Sequence, residues 1–398
     1  MAGHHAVFIS DLQEARYYLS QIGVAEEAYA FMTPKAVYRC IKLKDIPCRW
    51  ANIIKQEMLS KGGEAAVCRE SLYARDNTDV LLMGTVKHYR LLIKKLQMQP
   101  ELLKKIGGEI QLIIDNLEPH RVIMELAGGK NLEFGQRTQI MGILNVTPDS
   151  FSDPGHYFQE DKAFARALEM VEQGADIIDI GGASSRPDSK MAGTEEELAR
   201  VLPLIKRLVR ENIIISVDTF RSMVARECLA AGAHIINDIG RLQMDAGLLP
   251  ILAEFKAPVI LMHNRLQFNQ GVPYKDLVSD IISELEESIG QAINGGVNPR
   301  QIIIDPGLGL FGKDMYQNLT LVKRLQNFKS LGKPVLIGAS RKDFIGKVLN
   351  AEVSDRLEGT LAVTAVSIMN GADIIRVHDV KENVRLARIT DAVVHANG

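Results

Sequence analysis

From about residue 139 onward, short apolar runs rich in Ile and Val alternate with longer stretches of helical period, the pattern of repeated strand–helix units around a parallel sheet. The apolar runs fall at 140–146, 176–180, 213–217, 234–237, 258–262, 301–304, 334–337 and 373–377, which predicts eight strands. Amphipathic stretches at 163–173, 195–210 and 277–294 predict helices between them. Several of these end in a glycine placed where a helix C-cap favours it, and Gly174-Ala175-Asp176, Gly232-Ala233-His234 and Gly371-Ala372-Asp373 read as one joint used three times. Eight such units over about 260 residues fit a (β/α)8 TIM barrel, although a doubly wound sheet produces a similar pattern. The predicted fold is therefore α/β, with a TIM barrel over residues 139–398.

The first 130 residues have a different texture. Helical patterns at 11–19, 50–61 and 85–97 and strand-like runs at 36–43 and 80–83 predict a smaller N-terminal α/β domain, in which no motif carries chemistry. The polar, glycine-containing stretch that follows places a linker over residues 131–138.

Composition narrows the partners. The 398 residues carry a formal net charge of −2, which gives no electrostatic reason to expect nucleic-acid binding and points to small-molecule substrates. Cys40, Cys48, Cys68 and Cys228 match neither a zinc spacing nor a dense disulfide framework, so reduced thiols are expected. No signal peptide or apolar span is visible, and the expected location is cytoplasmic, away from membranes.

Barrel enzymes keep their chemistry at the C-terminal ends of the strands, and here all eight ends are polar. Strand one runs into Asn145 to Asp153, strand two into Gly181 to Pro187, and strand three into Asp218-Thr219. The others end in Asn237-Asp238, His263-Asn264-Arg265, Asp305-Pro306-Gly307, Ser340-Arg341-Lys342 and Arg376-Val377-His378-Asp379. One such residue is readily a cap or a surface ion pair, but eight at one rim imply a site. Arg186, Arg376 and His378, with Asn145 and the amides near Gly181-Gly182, suit an anion with several charged oxygens such as a diphosphate. Asp218, Asn237 and Asp305 suit a flat heterocycle that presents an amidine-like N–H edge.

At these residues the chain resembles the dihydropteroate synthase family. Asn145-Val146-Thr147-Pro148-Asp149-Ser150-Phe151-Ser152-Asp153, Gly181 to Pro187, Gly338-Ala339-Ser340-Arg341-Lys342 and Arg376-Val377-His378-Asp379 look like four of its signatures, in its order. The resemblance implies condensation of 6-hydroxymethyl-7,8-dihydropterin diphosphate with p-aminobenzoate to give 7,8-dihydropteroate and pyrophosphate, in folate biosynthesis. It implies that Asp218, Asn237, Asp305 and Lys342 hold the pterin, with Met262 and Phe311 as apolar walls. It further implies that Asn145, Arg186, Arg376 and His378 hold the diphosphate and Mg2+, with Asn145 as the metal ligand. Phe151, Asp153, Ser184, Ser185 and Pro187, with Ser340 and the stem of Lys342, would line the p-aminobenzoate pocket. Of these, Asn145, Asp153, Arg186, Lys342, Arg376 and His378 would serve the chemistry itself, and a homodimer through barrel helices is implied as well.

The chain departs from the family pattern in three places. Ser185 stands where Thr is usual, Pro154-Gly155 where Gly-Gly is commoner, and the stretch from Leu308 to Lys313 carries one extra residue, which bears on the wall role of Phe311. Two other readings compete. A pterin-binding methyltransferase acting on methyltetrahydrofolate would share the acceptor triad but has no use for the diphosphate clamp or the Ser340-Arg341-Lys342 loop, and a non-catalytic barrel that binds pterins or serves as a scaffold for the N-terminal domain would have no reason to hold Arg186, Arg376 and His378 at three strand ends.

Overall fold

The computed structural model describes residues 3–73, 76–146, 156–183, 193–266, 272–309 and 311–396, with backbone alone for 156–159. The chain divides into two compact units, 1–119 and 120–398.

The first unit runs α1 (Leu12–Ile22), α2 (Glu26–Ala36), β1 (Tyr38–Pro47), α3 (Cys48–Ser60), β2 (Glu64–Val67), β3 (Asn77–Thr85), α4 (Val86–Leu96) and α5 (Glu101–Asn116). Its strands form an antiparallel sheet in the order β1-β3-β2. Alternation decides which face is covered: Ile41 and Leu43 of β1 and Val80 and Leu82 of β3 are buried against Ile54 and Met58 of α3 and Tyr89, Leu92 and Leu96 of α4. Helices α2 and α5 lie outside the helical patterns predicted for this region. Helix α5 contains Gly107-Gly108, and a Cβ on Gly107 would stand 3.1 Å from Cβ of Leu96. The missing side chain lets α4 and α5 approach closely.

In the second unit a hairpin, β4 (Val122–Glu125) and β5 (Asn131–Phe134), precedes the barrel. The barrel strands are β6 (Gln139–Asn145), β7 (Ile177–Gly181), β8 (Ile214–Asp218), β9 (Ile235–Asp238), β10 (Val259–Met262), β11 (Ile302–Asp305), β12 (Leu336–Ile337) and β13 (Ile374–Val377). The helices between and after them are α6 (His156–Glu172), α7 (Thr194–Leu208), α8 (Ser222–Ala230), α9 (Leu248–Phe255), α10 (Leu277–Asn294), α11 (Met315–Lys323), α12 (Asp343–Leu349), α13 (Leu357–Met369) and α14 (Val380–Val394). All strand pairs are parallel, in the order β11-β10-β9-β8-β7-β6-β13-β12, and a bridge from Ile304 to Val335 joins the two end strands. The eight predicted strands all occur, each within two residues of its expected bounds, in a TIM barrel.

The repeated Gly-Ala joint behaves as its composition requires. Gly174, Gly232 and Gly371 sit at φ of 104°, 106° and 88°, and each following alanine N–H returns to the carbonyl five residues back at 2.9 Å. This left-handed turn ends the helix and aims the chain into the next strand.

The predicted linker is different in the structure. Residues 131–134 are β5, and Met124, Leu126, Leu132 and Phe134 pack against Met141, Ile177, Ile235, Ile260, Ile303, Leu336 and Ile374. Those seven are inward-facing residues near the strand starts, so the hairpin plugs the bottom of the barrel. Phe134 is almost fully buried, and Arg137 then pairs with Asp176 through two bonds of 2.6 and 2.9 Å. Apolar residues were legible here, but a four-residue strand flanked by glycines resembles a loop until its partner surface is known.

Candidate active site

Strand periodicity builds the site directly above the plug. Two residues beyond the apolar layer, the inward positions become Asp179 on β7, Ser216 on β8, Asn237 on β9, Met262 on β10, Asp305 on β11 and Arg376 on β13. The outward neighbours Ile178, Ile180, Ile215, Val217, Ile236, Leu261, Ile304 and Val377 face the helices in the main core. One step of the pleat thus separates a dry plug from a polar chamber.

Arg376 is the hub of that chamber. Its Nε donates to Asp179 Oδ2 at 2.6 Å and its Nη2 to Asp218 Oδ2 at 2.7 Å, while Asn237 Nδ2 donates to the same Asp179 oxygen at 3.1 Å. The sequence reading sorted Arg376 into an anion clamp and Asp218 and Asn237 into a separate heterocycle slot; in the structure they form one network. Asp179, which it missed, is the link. Its signal was a lone carboxylate inside Ile177-Ile178-Asp179-Ile180, at a position that is 0% exposed. Burial pushes the Asp218 carboxyl up to about 7 against the opposing pull of Arg376. Although burial opposes it, the two carboxylates push the Arg376 pKa upward, so it stays charged.

Asp305 lies at the end of β11, where burial also raises its pKa, and its Oδ1 accepts the Gly307 N–H at 2.7 Å. Gly307 has φ 72°, and a Cβ there would meet the His263 carbonyl oxygen at 2.0 Å, so only glycine allows this turn. Lys342 reaches across to the Leu308 carbonyl, with its Nζ 5.1 Å from the Phe311 ring centroid. The Phe311 ring thus lies beside the Lys342 cation despite the extra residue in its stretch. Burial lowers the Lys342 pKa to about 8. Met262 is buried at the end of β10.

The residues expected on the anion side lie on the neighbouring rims of β12, β13 and β6. Ser340 Oγ lies 2.9 Å from His378 Nδ1 and 3.2 Å from its backbone N. Arg341 forms a two-point pair with Asp379 at 2.5 and 2.9 Å, which ties the Ser340 loop to the His378 loop. Burial, reinforced by Arg376, lowers the His378 pKa to about 4. Asn145 is exposed at the end of β6, and a Cβ on Gly181 would stand 3.3 Å from its Oδ1 and 3.7 Å from Cβ of Asp218. Gly181 thus keeps open the gap between Asn145 and the Arg376 network. Phe151, Asp153, Ser184, Ser185, Arg186 and Pro187 lie outside the described residues.

A second group that the sequence reading did not assemble is built around His263, the residue that follows Met262, and reaches the Phe311 carbonyl. Lys313 Nζ is 3.1 Å from His263 Nδ1 and 3.3 Å from the Phe311 carbonyl, and His263 Nε2 is 3.1 Å from Glu284 Oε2. Glu284 also accepts from Arg241 and Arg265. These groups come from four separate segments, and no local spacing announces them.

The architecture agrees with comparisons to known proteins. Residues 141–378 match the family described as "Pterin binding enzyme". The dihydropteroate synthase of Bacillus subtilis is 46% identical over 268 residues, covering 67% of this chain and 92% of that one. A probable bifunctional folylpolyglutamate synthase/dihydropteroate synthase of Halobacterium salinarum is 38% identical over 387 residues, which covers 96% of this chain and 46% of that longer protein. That match extends into the N-terminal unit, beyond the 139–395 span of the resemblance read from the signatures. The Xanthomonas albilineans dihydropteroate synthase, whose structure was solved with 4-aminobenzoic acid, aligns with a TM-score of 0.66 at 39% identity, over 70% of this chain and 100% of that one. The chain belongs to the pterin-binding enzyme family. Within it, the similarity is to the dihydropteroate synthases, enzymes that transfer an alkyl group other than methyl, and this is the chain's own class.

Proposed function

We propose that the chain condenses 6-hydroxymethyl-7,8-dihydropterin diphosphate with p-aminobenzoate, releasing pyrophosphate. The observation that carries this reading is the single polar layer in which Asp218, Asn237 and Asp305 stand beside Arg376 and Lys342. Three short acceptors or mixed donor–acceptors match a flat heterocycle with an N–H edge, and the adjacent cations match a leaving diphosphate. The amine of p-aminobenzoate is neutral at pH 7 and needs little activation. During the reaction the bond from the pterin methylene carbon to the diphosphate oxygen breaks, the amine nitrogen bonds to that carbon, and its proton is lost. Arg376 serves by stabilising charge that gathers on the departing oxygens, in a chamber where such preorganised charge acts strongly. His378, neutral at pH 7, offers a hydrogen bond at the same end.

Mg2+ fits this arrangement as a substrate-borne ion. Among the described residues no group of three His, Cys, Asp or Glu side chains is placed to hold a metal. Asn145 supplies one exposed amide oxygen, and Mg2+ commonly takes one or two protein oxygens together with substrate phosphates and water. When bound, the ion would neutralise charge on the diphosphate.

A homodimer through barrel helices is supported by exposed apolar residues on the adjoining helices α13 and α14, where Met369 and Ile389 are each more than 60% exposed. A cytoplasmic location is supported by four free cysteines and by the finding that no described helix is long and apolar enough to cross a membrane. The deciding experiment is pyrophosphate release on adding both substrates to the full chain. Release that requires p-aminobenzoate is expected, and release without it, or none, would reject the synthase reading.

A further inference from the structure

We propose that Asp179 is a positioning residue for the condensation, holding Arg376 and Asn237 in register through one shared oxygen. The proposal deepens the synthase reading and rests on it.

Asp179 is the sole inward position of β7 between the apolar plug, reached at Ile177, and the open rim at Gly181. Its Oδ2 accepts from Arg376 Nε at 2.6 Å and from Asn237 Nδ2 at 3.1 Å, so one atom orients a cation on β13 and an amide on β9. Asp218 grips Arg376 by a different nitrogen, Nη2. A ligand that displaces the Asp218 contact therefore leaves the Nε anchor intact, and the guanidinium pivots about Asp179 rather than leaving the chamber. Fixing the Asn237 amide by its nitrogen also fixes which end of that amide, the oxygen, faces a ligand.

Among the described residues the remaining oxygen, Asp179 Oδ1, has no hydrogen-bond partner, nor has Ser216 Oγ, its neighbour in register on β8. Both are buried. A carboxylate placed here solely to neutralise Arg376 would be expected to use both oxygens in a two-point pair, as Asp379 does with Arg341. Asp179 instead divides one oxygen between two partners from two strands, which is the geometry of alignment.

The test uses the full chain labelled with 15N-arginine, with the Arg376 Nε–H signal assigned by its loss in Arg376→Lys. The parent protein is expected to show a solvent-protected Arg376 Nε–H both alone and with pyrophosphate and Mg2+ present, and Asp179→Asn to lose that protection. A rapidly exchanging Nε–H in the free parent protein would overturn the proposal, whether or not the chain proves to be a synthase. In steady-state kinetics Asp179→Asn is expected to lower kcat/KM for the pterin diphosphate by more than about tenfold, with a raised KM, while KM for p-aminobenzoate stays within about twofold. A simple loss of folded protein would lower the rate and leave both KM values unchanged, which would equally overturn it. Should Asp179→Asn fail to fold, the parent measurement still decides.

Discussion

Nη2 of Arg376 lies 2.7 Å from Oδ2 of Asp218, so the cation proposed to grip the leaving diphosphate is paired with the carboxylate proposed to receive the heterocycle. Both cannot serve substrate while serving each other. Pyrophosphate, by drawing Arg376 away, should free Asp218 for a pterin. The affinity of a neutral pterin analogue is expected to rise about tenfold when pyrophosphate and Mg2+ are present, within the usual range of coupling between sites. Arg376→Met should abolish the increment. Calorimetric titration reads both, and an affinity indifferent to pyrophosphate in the parent protein would refute the exchange.

Asp305 would combine two duties, since it bonds the Gly307 N–H and is proposed to receive the heterocycle. Asp305→Asn keeps an oxygen for the turn and removes the charge and one acceptor. Because a buried donor on the ligand is then left unmatched, pterin affinity is expected to fall more than about tenfold, a cost of about 1.4–3 kcal/mol. Denaturation midpoints should move little. Unchanged affinity in the folded variant would remove Asp305 from the site.

The barrel, its eight strands and the polar rim were legible because parallel strands buried on both faces leave long Ile and Val runs, and because rim residues follow each run at once. Asp218, Asn237, Asp305, Arg376 and Lys342 were found that way, and the structure brings them into one chamber. Asp179 was not, since a carboxylate within a strand looks the same in sequence whether it faces the barrel axis or a helix. The grouping of Lys313, His263 and Glu284 escaped for another reason: their proximity is created by closure of the barrel. The hairpin of β4 and β5 was read as small domain and linker because its burial depends on a barrel floor some strands away.

That hairpin sets where the catalytic unit begins. A fragment starting at His120 retains Met124, Leu126, Leu132 and Phe134 under the barrel and is expected to fold alone. A fragment starting at Gly135 exposes the apolar floor, and each lost side chain forgoes on the order of 1.5–3 kcal/mol, a set comparable with the net stability of a domain. Circular dichroism and dye binding to exposed apolar surface compare the two. Equal stability would show that the plug is dispensable.

Burial raises the Asp218 carboxyl to about 7, and only its ionised form accepts two N–H bonds from a ligand. Above that value the binding form dominates. As pH falls below it, binding must expel a proton, so pterin affinity should drop towards tenfold per pH unit. Titrations between about pH 5.5 and 8.5 test the sign, with proton release on binding as a second readout. An affinity that is flat across this range would place the titrating proton elsewhere.

Lys313 tests whether the group that holds the Phe311 carbonyl, at the proposed pterin wall, acts on function or on stability alone. Burial lowers the His263 pKa to about 4, so its ring is neutral at pH 7, and the Glu284 carboxylate fixes the ring proton on Nε2, which donates to it. Nδ1 is then an acceptor aimed at Lys313, whose own pKa burial lowers to about 7. The lysine passes this order on to the Phe311 carbonyl, and Phe311 carries the Lys342 cation over its ring. Lys313→Met preserves much of the volume and removes a costly buried amine while losing two hydrogen bonds, opposing effects that leave stability within about 1–2 kcal/mol. Pterin affinity should nevertheless fall about three- to tenfold as the Phe311 wall loosens, a loss of about 0.7–1.4 kcal/mol. Phe311→Leu should cause a similar loss, and the double variant should lose little more than either one, because both act through the same wall. Fully additive losses would mean that Lys313 works by some route other than Phe311, and a large drop in stability with unaltered affinity would confine the Lys313–His263–Glu284 chain to holding the barrel together.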